Sequence, residues 1–316
     1  MDFVPSPDQL ALRDGVRDLL ARRWPSERLF TVEDGIDQAL WRELAETGVF
    51  SLRLAEADGG LGAGMAEAVL VFEELGRFLV PGPLVPTFLA AGLPEIEPGA
   101  PVTAHDTRMV PPFVTHLHAA SAMVLVTEGG LQVVTEGEQA TRVERPLDPL
   151  SPGYLLPTTD YAGPRVGGPD DAARWRREAA LLTAALQVGI AAATTDRAVA
   201  YAKEREQFGQ VIGSFQAVKH LCADMLVRTE LARVAVHAAA VTADDSEVGD
   251  VDRAVAGAKI LADDAAVLNS RSCVQVHGGM GFTWEVDVHL FLKRAWVHAT
   301  EWGTAADHAE ALAALL

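Results

Sequence analysis

The sequence predicts a mainly α-helical protein with a small β domain in the middle of the chain. Apolar residues recur at helical spacing over much of residues 1–95 and 169–316. One stretch between these regions is typical of two strands joined by a Gly-Gly turn. Alanine is abundant in the second half, which favours closely packed helices. We therefore predict an N-terminal helical domain (1–95), a reduced β domain with a linker (96–168) and a C-terminal four-helix bundle (169–316).

The N-terminal domain is predicted to contain three helices. The first begins at Pro7-Asp8 and carries a stripe of apolar residues at helical spacing, and the second covers residues 37–47. The stretch "LAEADGGLGAG" then predicts a turn, because its glycines accept positive φ angles. A third helix over residues 65–79 is predicted to close at Gly76, just before "VPGPLVP".

The middle domain is predicted to contain a β-hairpin. Its strands are Ala122–Glu128 and Leu131–Glu136, with the turn at Gly129-Gly130. "PVTAHD" and "MVPPFV" are weaker strand candidates, and Pro146–Pro169 is predicted to be loop and linker because it is rich in proline and glycine. About 70 residues leave room for a small sheet and not for a large barrel.

The C-terminal domain is predicted to contain four long helices. The first covers Asp170–Glu204, with Gly189 where a neighbouring helix can approach. The second is expected to begin at Ser214 as N-cap, and the third covers residues 251–276. The fourth is expected to begin at Thr283 as N-cap. Four such helices favour an antiparallel bundle.

Composition excludes several classes of function. The net charge of −18 argues against a nucleic-acid partner. We find no run of about 18 apolar residues and no basic-then-apolar start, so we expect a cytoplasmic protein without a membrane partner. The two cysteines, Cys222 and Cys273, are expected to be buried free thiols. The histidines show no metal-ligand spacing, so no metal site is predicted.

One glycine-rich stretch, "VQVHGGMGF" at residues 274–282, lies between two predicted helices. Without Cβ atoms, Gly278 and Gly279 let another group come close to the backbone. Taken alone, the stretch is more typical of a turn between helices. His277 has no partner in sequence and is expected to be a packing or capping residue.

Two stretches of the predicted bundle, "YAKEREQFGQVIGSFQAVKHLCADM" (201–225) and "QVHGGMGFTWEVDVHLFLKR" (275–294), resemble the signature regions of the acyl-CoA dehydrogenase family. "WRELAETGV" from Trp41, "GGLG" at 59–62 and "EELGR" at 73–77 are similar too and occur in the expected order. The resemblance covers residues 1–95 and 175–305. It implies an acyl-CoA dehydrogenase-like fold, an FAD cofactor and a CoA thioester substrate.

The resemblance also implies which residues contact FAD. In the family, the glycine-rich segment meets the ADP half of an FAD held mainly by a neighbouring subunit. Arg205 carries over as the ion-pair partner of the pyrophosphate, and Phe208 as an apolar wall near the adenine. The full set of cofactor-binding residues implied in this way is Arg205, Phe208, Ile212, Phe215, Gln216, Gln275, Gly278 and Gly279.

The chain departs from the family where the chemistry takes place. The reaction needs a carboxylate to take the Cα proton. In the family this glutamate lies in one of two regions, which here place Trp302 and Ala179 at its position. Glu301 lies one residue away from the first position, and one residue turns a helical side chain by about 100°. The tryptophan that faces the flavin ring in the family also has no counterpart between residues 96 and 165.

These departures resemble one kind of subunit in actinobacterial α2β2 acyl-CoA dehydrogenases, some of which act on steroid side-chain CoA esters. The β-type subunit keeps the ADP-side contact, while a catalytic α-type partner carries the base, the flavin cradle and most of the substrate. We expect this chain to be such a subunit without a catalytic residue of its own, with electron-transfer flavoprotein as the acceptor. Two alternatives stay open: a complete homomeric enzyme that uses Glu301, and a flavin-free scaffold.

Overall fold

A computed structural model describes residues 3–32, 35–135, 140–159, 161–245 and 247–315. Within these ranges the helices are α1 (Pro7–Arg23), α2 (Gln38–Glu46), α3 (Met65–Arg77), α4 (Leu84–Ala90), α5 (Pro169–Glu204), α6 (Gln216–Asp244), α7 (Val251–His277), α8 (Val288–His298) and α9 (Ala305–Ala313). The strands are β1 (Val102–Asp106), β2 (Phe113–Thr115), β3 (Ala122–Val126), β4 (Leu131–Val134), β5 (Thr141–Arg142), β6 (Gly153–Leu155), β7 (Arg165–Gly167), β8 (Glu206–Gln207) and β9 (Gln210–Val211).

The chain forms two compact units. The first contains residues 1–26, 65–80 and 180–316, and the second contains residues 27–64 and 81–179. The first unit therefore takes helices from both ends of the chain. The division into segments 1–95, 96–168 and 169–316 remains a prediction about the order of domains along the sequence.

Helix α3 carries two buried carboxylates. The carboxylate of Glu74 is fully buried and accepts two hydrogen bonds from the Arg17 guanidinium of α1. Glu73, on the same helix, is paired with Arg233 of α6 at 2.9 Å. Because a buried carboxylate is costly unless it is paired, these contacts fix α3 against its neighbours.

Two glycines mark the close approach of α3 and α5. Gly189 is confirmed as such a position, since an added Cβ would overlap the carbonyl oxygen of Glu73. Gly76 was predicted to end its helix, and this prediction is wrong. It lies inside α3, where an added Cβ would overlap the backbone of Leu186. The glycine serves helix packing and not chain termination.

The bundle contains α5, α6, α7 and α8, as predicted. Asn269 of α7 is fully buried, and its amide donates to the Met225 carbonyl at 2.8 Å and to Thr229 Oγ1 at 2.9 Å, both on α6. It also reaches Thr195 Oγ1 of α5 at 3.2 Å. Such a satisfied polar group in an apolar core favours one register of the helices.

Two predicted helix starts are wrong. Helix α6 begins at Gln216 with Phe215 as N-cap, and Ser214 Oγ instead donates to the Val211 carbonyl at 2.7 Å. Helix α8 begins at Val288, with Asp287 as N-cap. Thr283 lies before it, in a segment whose backbone continues the glycine-rich turn.

The second unit contains two small sheets, in the strand orders β1-β3-β4-β7 and β2-β6-β5. The β3–β4 hairpin is confirmed, with Met123 opposite Val134, whereas residue 136 lies outside the described residues. The prediction that Pro146–Pro169 is only loop and linker is wrong, because β6 and β7 lie there. Two sheets replace the single predicted one, since strands of three residues are too short for their alternation to show in sequence.

Within the described ranges, one helix, α5, is long and apolar enough to cross a membrane, and 94% of its apolar window is buried in protein. That burial is typical of a core helix. The described residues contain no group of histidine, cysteine, aspartate and glutamate that could hold a metal ion.

Candidate functional site

The two signature stretches meet at one end of the bundle. The ring of Tyr201, near the end of α5, stacks on His277, the last residue of α7, with 4.1 Å between centroids. Arg197 of α5 pairs with Asp287 at 2.9 Å. A cluster of buried apolar residues lies beneath these contacts: Ala198, Ala202, Met225, Cys273, Val274, Val276, Val288 and Leu292. The cluster brings the end of α5 and the glycine-rich turn together, although they are far apart in sequence.

Arg205 follows α5 directly, and its side chain is exposed. Its backbone is fixed, because its N–H donates to the Tyr201 carbonyl at 2.9 Å and its own carbonyl accepts from Ile212 N–H at 2.8 Å. Its guanidinium has no ion-pair partner among the residues that the structure describes. The position therefore presents a cation on a rigid backbone.

Phe208 lies at the tip of the short β8–β9 hairpin that follows. Its φ is 54°, and that of Gly209 is 78°, so both central residues of the turn are left-handed. The phenylalanine side chain is 92% exposed and contacts Phe215 edge-on, with 6.1 Å between ring centroids. A bulky residue with positive φ costs free energy, and such strain clusters at functional sites.

The glycine pair ends α7 and turns the chain away from it. Gly278 has φ 61° and ψ −138°, and its N–H donates to the Gln275 carbonyl. Gly279 has no positive φ, and both glycines are exposed. An added Cβ at either position would meet nothing within 4 Å. The space in front of this turn is therefore open, and only Gly278 needs to be glycine for its backbone conformation.

The other residues implied by the resemblance lie around these two turns. Gln216 is the first residue of α6 and is exposed, and Gln275 is exposed on the last turn of α7. Ile212 and Phe215 are half-buried, and Ile212 packs against the apolar cluster below. Among these side chains, the rings of Phe208 and Phe215 contact each other.

His277 and the cysteines have structural roles. His277 Nδ1 lies 2.8 Å from the Cys273 carbonyl oxygen, and burial lowers the pKa of the imidazole. Burial raises the pKa of the Cys273 thiol to about 12 and also raises the pKa of Cys222. Both cysteines are free, and Cys222 is half-buried. The packing role predicted for His277 is confirmed, and burial disfavours the thiolate form of both cysteines by raising their pKa.

The arrangement suits an anionic, aromatic ligand such as the ADP half of a dinucleotide. It offers an exposed guanidinium, an exposed aromatic ring and a glycine turn with open space in front of it. Arginine and close backbone approach are what a pyrophosphate requires. These residues fit the ADP side of FAD.

The described residues do not place a carboxylate at either position of the family's base. Ala179 is fully buried, and the neighbouring Glu178 accepts two hydrogen bonds from Arg53, at 2.6 and 3.0 Å. Trp302 has φ 57° in the loop between α8 and α9. Neither Ala179 nor Trp302 has a side chain that can remove a proton, and the Glu178 carboxylate is paired with Arg53.

Glu301 is also occupied. One of its carboxylate oxygens lies 2.7 Å from His298 Nδ1. Burial alone would raise the pKa of this carboxyl, but His298, with Arg294 and Lys259, holds it below its ordinary value. The carboxylate is thus ionised and directed at His298, the last residue of α8. This geometry does not favour the alternative in which Glu301 is the base.

The sequence analysis did not single out a second exposed aromatic site, which lies just after the glycines. Phe282 and Trp284 are 77% and 63% exposed. The Lys293 ammonium lies 4.5 Å from the centroid of the Trp284 ring, and His289 contacts the same ring edge-on at 4.8 Å. The sequence signal was two aromatic residues on either side of Thr283, which was predicted to be a helix N-cap.

Helical segments lie at both ends of the chain with small sheets between them, and an open glycine turn and an exposed arginine both belong to the C-terminal helical region. Family models described as "Acyl-CoA dehydrogenase, N-terminal domain" and "Acyl-CoA dehydrogenase, C-terminal domain" match residues 6–94 and 177–316. The chain belongs to the acyl-CoA dehydrogenase family.

Among its relatives is acyl-CoA dehydrogenase IpdE2 of Mycolicibacterium smegmatis, 34% identical over 307 residues, which are 92% of this chain and 93% of the relative. Acyl-CoA dehydrogenase FadE34 of Mycobacterium tuberculosis is 36% identical over 280 residues. That match covers 80% of this chain but only 38% of FadE34, so the chain spans well under half of that longer relative.

Solved structures show the same fold. A variant of the Tcur3481–Tcur3483 steroid ACAD is similar with a TM-score of 0.83 and 26% identity, covering 98% of this chain and 97% of the other. The ChsE4–ChsE5 complex from Mycobacterium tuberculosis gives a TM-score of 0.83 with 23% identity, covering 99% and 98% of the two chains. The predicted fold class is confirmed.

Proposed function

We propose that this chain is the non-catalytic subunit of an FAD-dependent acyl-CoA dehydrogenase and contacts the ADP side of an FAD held by a partner subunit. The partner, a catalytic α-type acyl-CoA dehydrogenase chain, supplies the base and the cradle of the flavin ring. Two copies of each chain form the α2β2 complex. The similarity to a steroid ACAD formed from two named components, Tcur3481 and Tcur3483, supports this assembly.

The observation that carries the proposal is a contrast within the chain. Arg205, Phe208 and Gly279 are exposed and ready for a ligand, whereas the two base positions hold Trp302 and Ala179. A complete enzyme needs both sets of residues. The contrast is what a division of labour between two subunits requires.

The tryptophan that faces the flavin ring in the family has no counterpart on the described strands. The six tryptophans are Trp24, Trp41, Trp175, Trp284, Trp296 and Trp302, so none lies on a described strand of the two sheets. Trp175 is buried in α5. We therefore assign the ring and its chemistry to the partner.

The proposed reaction is α,β-dehydrogenation of a CoA thioester, with a steroid side-chain CoA ester as the substrate class. A carboxylate of the partner takes the Cα proton, and FAD, when bound, accepts the hydride from Cβ. The substrate lies mainly on the partner. Electron-transfer flavoprotein stays the predicted acceptor, and a cytoplasmic location stays a prediction.

Visible flavin absorbance tests the proposal. The chain is purified alone and after co-expression with the product of its neighbouring gene, which we take as the first candidate for the partner. We expect flavin and dehydrogenation only in the co-purified complex. Flavin in the isolated chain, together with turnover that Glu301→Gln abolishes, would establish the homomeric alternative. No flavin in either sample would leave the flavin-free scaffold.

A further inference from the structure

Helices α6 and α7 share an exposed apolar surface on the outside of the bundle. Five large apolar side chains there are between 39% and 67% exposed: Val227, Leu231 and Val234 on α6, and Leu261 and Leu268 on α7. Single exposed apolar residues are common, whereas several neighbouring ones mark an interaction site. We call these five side chains the α6–α7 face.

The register of the two helices places these side chains beside one another. Asn269 of α7 donates to the Met225 carbonyl oxygen of α6 at 2.8 Å. The helices follow each other directly, separated by residues 245–250, and therefore run antiparallel from this point. This register sets Leu268 level with Val227, and Leu261 level with Val234.

Two opposite charges accompany the leucines on α7. Asp264 and Arg271 are both exposed and lie seven residues, or about two turns, apart on one side of the helix, with Leu268 between them along its axis. Neither side chain has a hydrogen bond or an ion pair among the residues that the structure describes. The Arg271 guanidinium lies 5.8 Å from the centroid of the Trp296 ring, and this ring contact leaves its N–H donors available.

This order of charges identifies a second copy of the chain as the surface that covers the face. If α7 packs antiparallel on α7 of a second copy, with the two-fold axis beside Leu268, Asp264 of each copy faces Arg271 of the other. Both charges are then paired twice by symmetry, and the leucines pack at the axis. A different chain would have to supply the same two charges in the reverse order.

Net charge makes this helix an exception on the molecule. At −18, two copies of the chain repel each other over most of their surfaces. The exposed charges of α7, however, sum to zero, because Asp252 and Arg253 cancel as Asp264 and Arg271 do. Two copies can therefore meet along α7 without net repulsion at the contact.

We propose that the α6–α7 face joins two copies of this chain in a symmetric contact, with Leu268 at the two-fold axis and Asp264 paired with Arg271 across it. In an α2β2 complex, this contact would lie between the two non-catalytic subunits. The inference goes beyond the proposed function, because it needs neither flavin nor the catalytic chain.

The test is self-association of the full chain, measured by sedimentation equilibrium without flavin or partner. The wild type should form a dimer of the 33.7 kDa chain. Asp264→Arg and Arg271→Asp should each raise the dimer dissociation constant more than about tenfold, because like charges then face each other twice. Asp18→Arg is the matched control: Asp18 is exposed on α1, and the same change of charge there should leave the constant unchanged.

Mixing the two single variants gives a sharper readout. Asp264→Arg and Arg271→Asp should dimerise with each other although neither dimerises well alone, because opposite charges then face each other at both pairs. The double variant should dimerise with itself for the same reason. Loss of a fold would not be rescued in this way, and the melting temperature of each single variant should match that of the wild type.

The outcomes separate this inference from the proposed function. A wild-type chain that stays monomeric at about 0.1 mM would overturn the symmetric contact, since a specific interface would by then be occupied. Single variants that dimerise like the wild type, or a mixture that does not recover, would overturn it too. If Asp264→Arg instead weakens only the assembly with the catalytic chain, that chain covers the face. A monomeric chain whose co-purified complex carries flavin leaves the proposed function standing, whereas a dimer that never acquires flavin with any partner supports the contact and refutes that function.

Discussion

Gly279→Ala separates a cofactor-contacting glycine from one that only turns the chain. In this chain, the added Cβ meets nothing within 4 Å, and the residue has no positive φ. Folding should therefore tolerate the methyl group. Alanine at a compatible position stabilises a protein by about 0.4–1 kcal/mol, because it lowers the entropy of the unfolded chain. The melting temperature of the flavin-free chain should stay the same or rise slightly.

The effect on FAD should be opposite. If the partner's FAD approaches this turn closely, the methyl group occupies space that the cofactor needs. Overpacking of this kind costs about 1–3 kcal/mol. The dissociation constant for FAD should then rise roughly five- to 150-fold in the assembled complex. The cofactor has little freedom to move away from the added methyl group, because directed hydrogen bonds hold the charges of its pyrophosphate.

Two further glycines serve as controls. Gly278 has φ 61° and ψ −138°, a backbone conformation that glycine adopts far more readily than alanine, so alanine there should cost about 1–3 kcal/mol of folding stability whatever it does to FAD. Gly15 lies in α1 with equally open space around an added Cβ, and Gly15→Ala should leave FAD affinity unchanged. The assay is FAD titration of each complex, paired with the melting temperature without flavin. Wild-type FAD affinity in Gly279→Ala would refute the cofactor contact.

Three other predictions concern Arg205, Glu301 and Glu73. Arg205→Ala should weaken FAD binding by about 1.5–3 kcal/mol without preventing assembly, because the exposed guanidinium makes no contact that holds the described fold; unchanged flavin occupancy at low FAD would contradict it. Glu301→Gln should leave turnover of the complex unchanged and lower its melting temperature, since the carboxylate pairs with His298 and serves no substrate. Burial raises the pKa of Glu73, but His237 and Arg233 lower it to about 2, against an ordinary value of 4.5. The pairing therefore contributes about 3 kcal/mol above pH 4.5 that is lost as the pH falls toward 2, and urea unfolding of Glu73→Gln should lack that loss.

The sequence predicted long helices well and their ends poorly. The predicted bounds of α5 differ from the structure by one residue, because a long run of helix formers follows Pro169. Gly76 and Thr283 misled the prediction for a shared reason. A glycine or a threonine is a helix-end signal in isolation, but Gly76 meets the backbone of Leu186, and Thr283 continues the turn that Gly278 begins. The close approach to Leu186 decided the role of Gly76, and the preceding turn decided that of Thr283. Sequence spacing shows neither.

The candidate site was also predicted only in part from the sequence. The residues of the ADP-side contact were assigned by resemblance, and the structure places them on exposed turns at one end of the bundle. That they bind FAD remains a prediction. The sequence could not show that Glu301 pairs with His298, because an offset of one residue from the family's base position does not say which group the carboxylate faces. Its partner His298 lies one helical turn away, and only the loop geometry brings the two together.

The loop between α8 and α9 explains how a base position can change without loss of the fold. Lys259 is fully buried, pairs with Asp263 at 2.6 Å and donates to the carbonyl oxygens of His298 and Gly303. These contacts hold the loop through its backbone, so its path does not depend on a carboxylate at residue 302. The residue at this position is Trp302, whose positive φ adds local strain that these contacts can hold. A partner that brings its own base makes that exchange harmless to catalysis, whereas a homomeric enzyme would lose its chemistry with it.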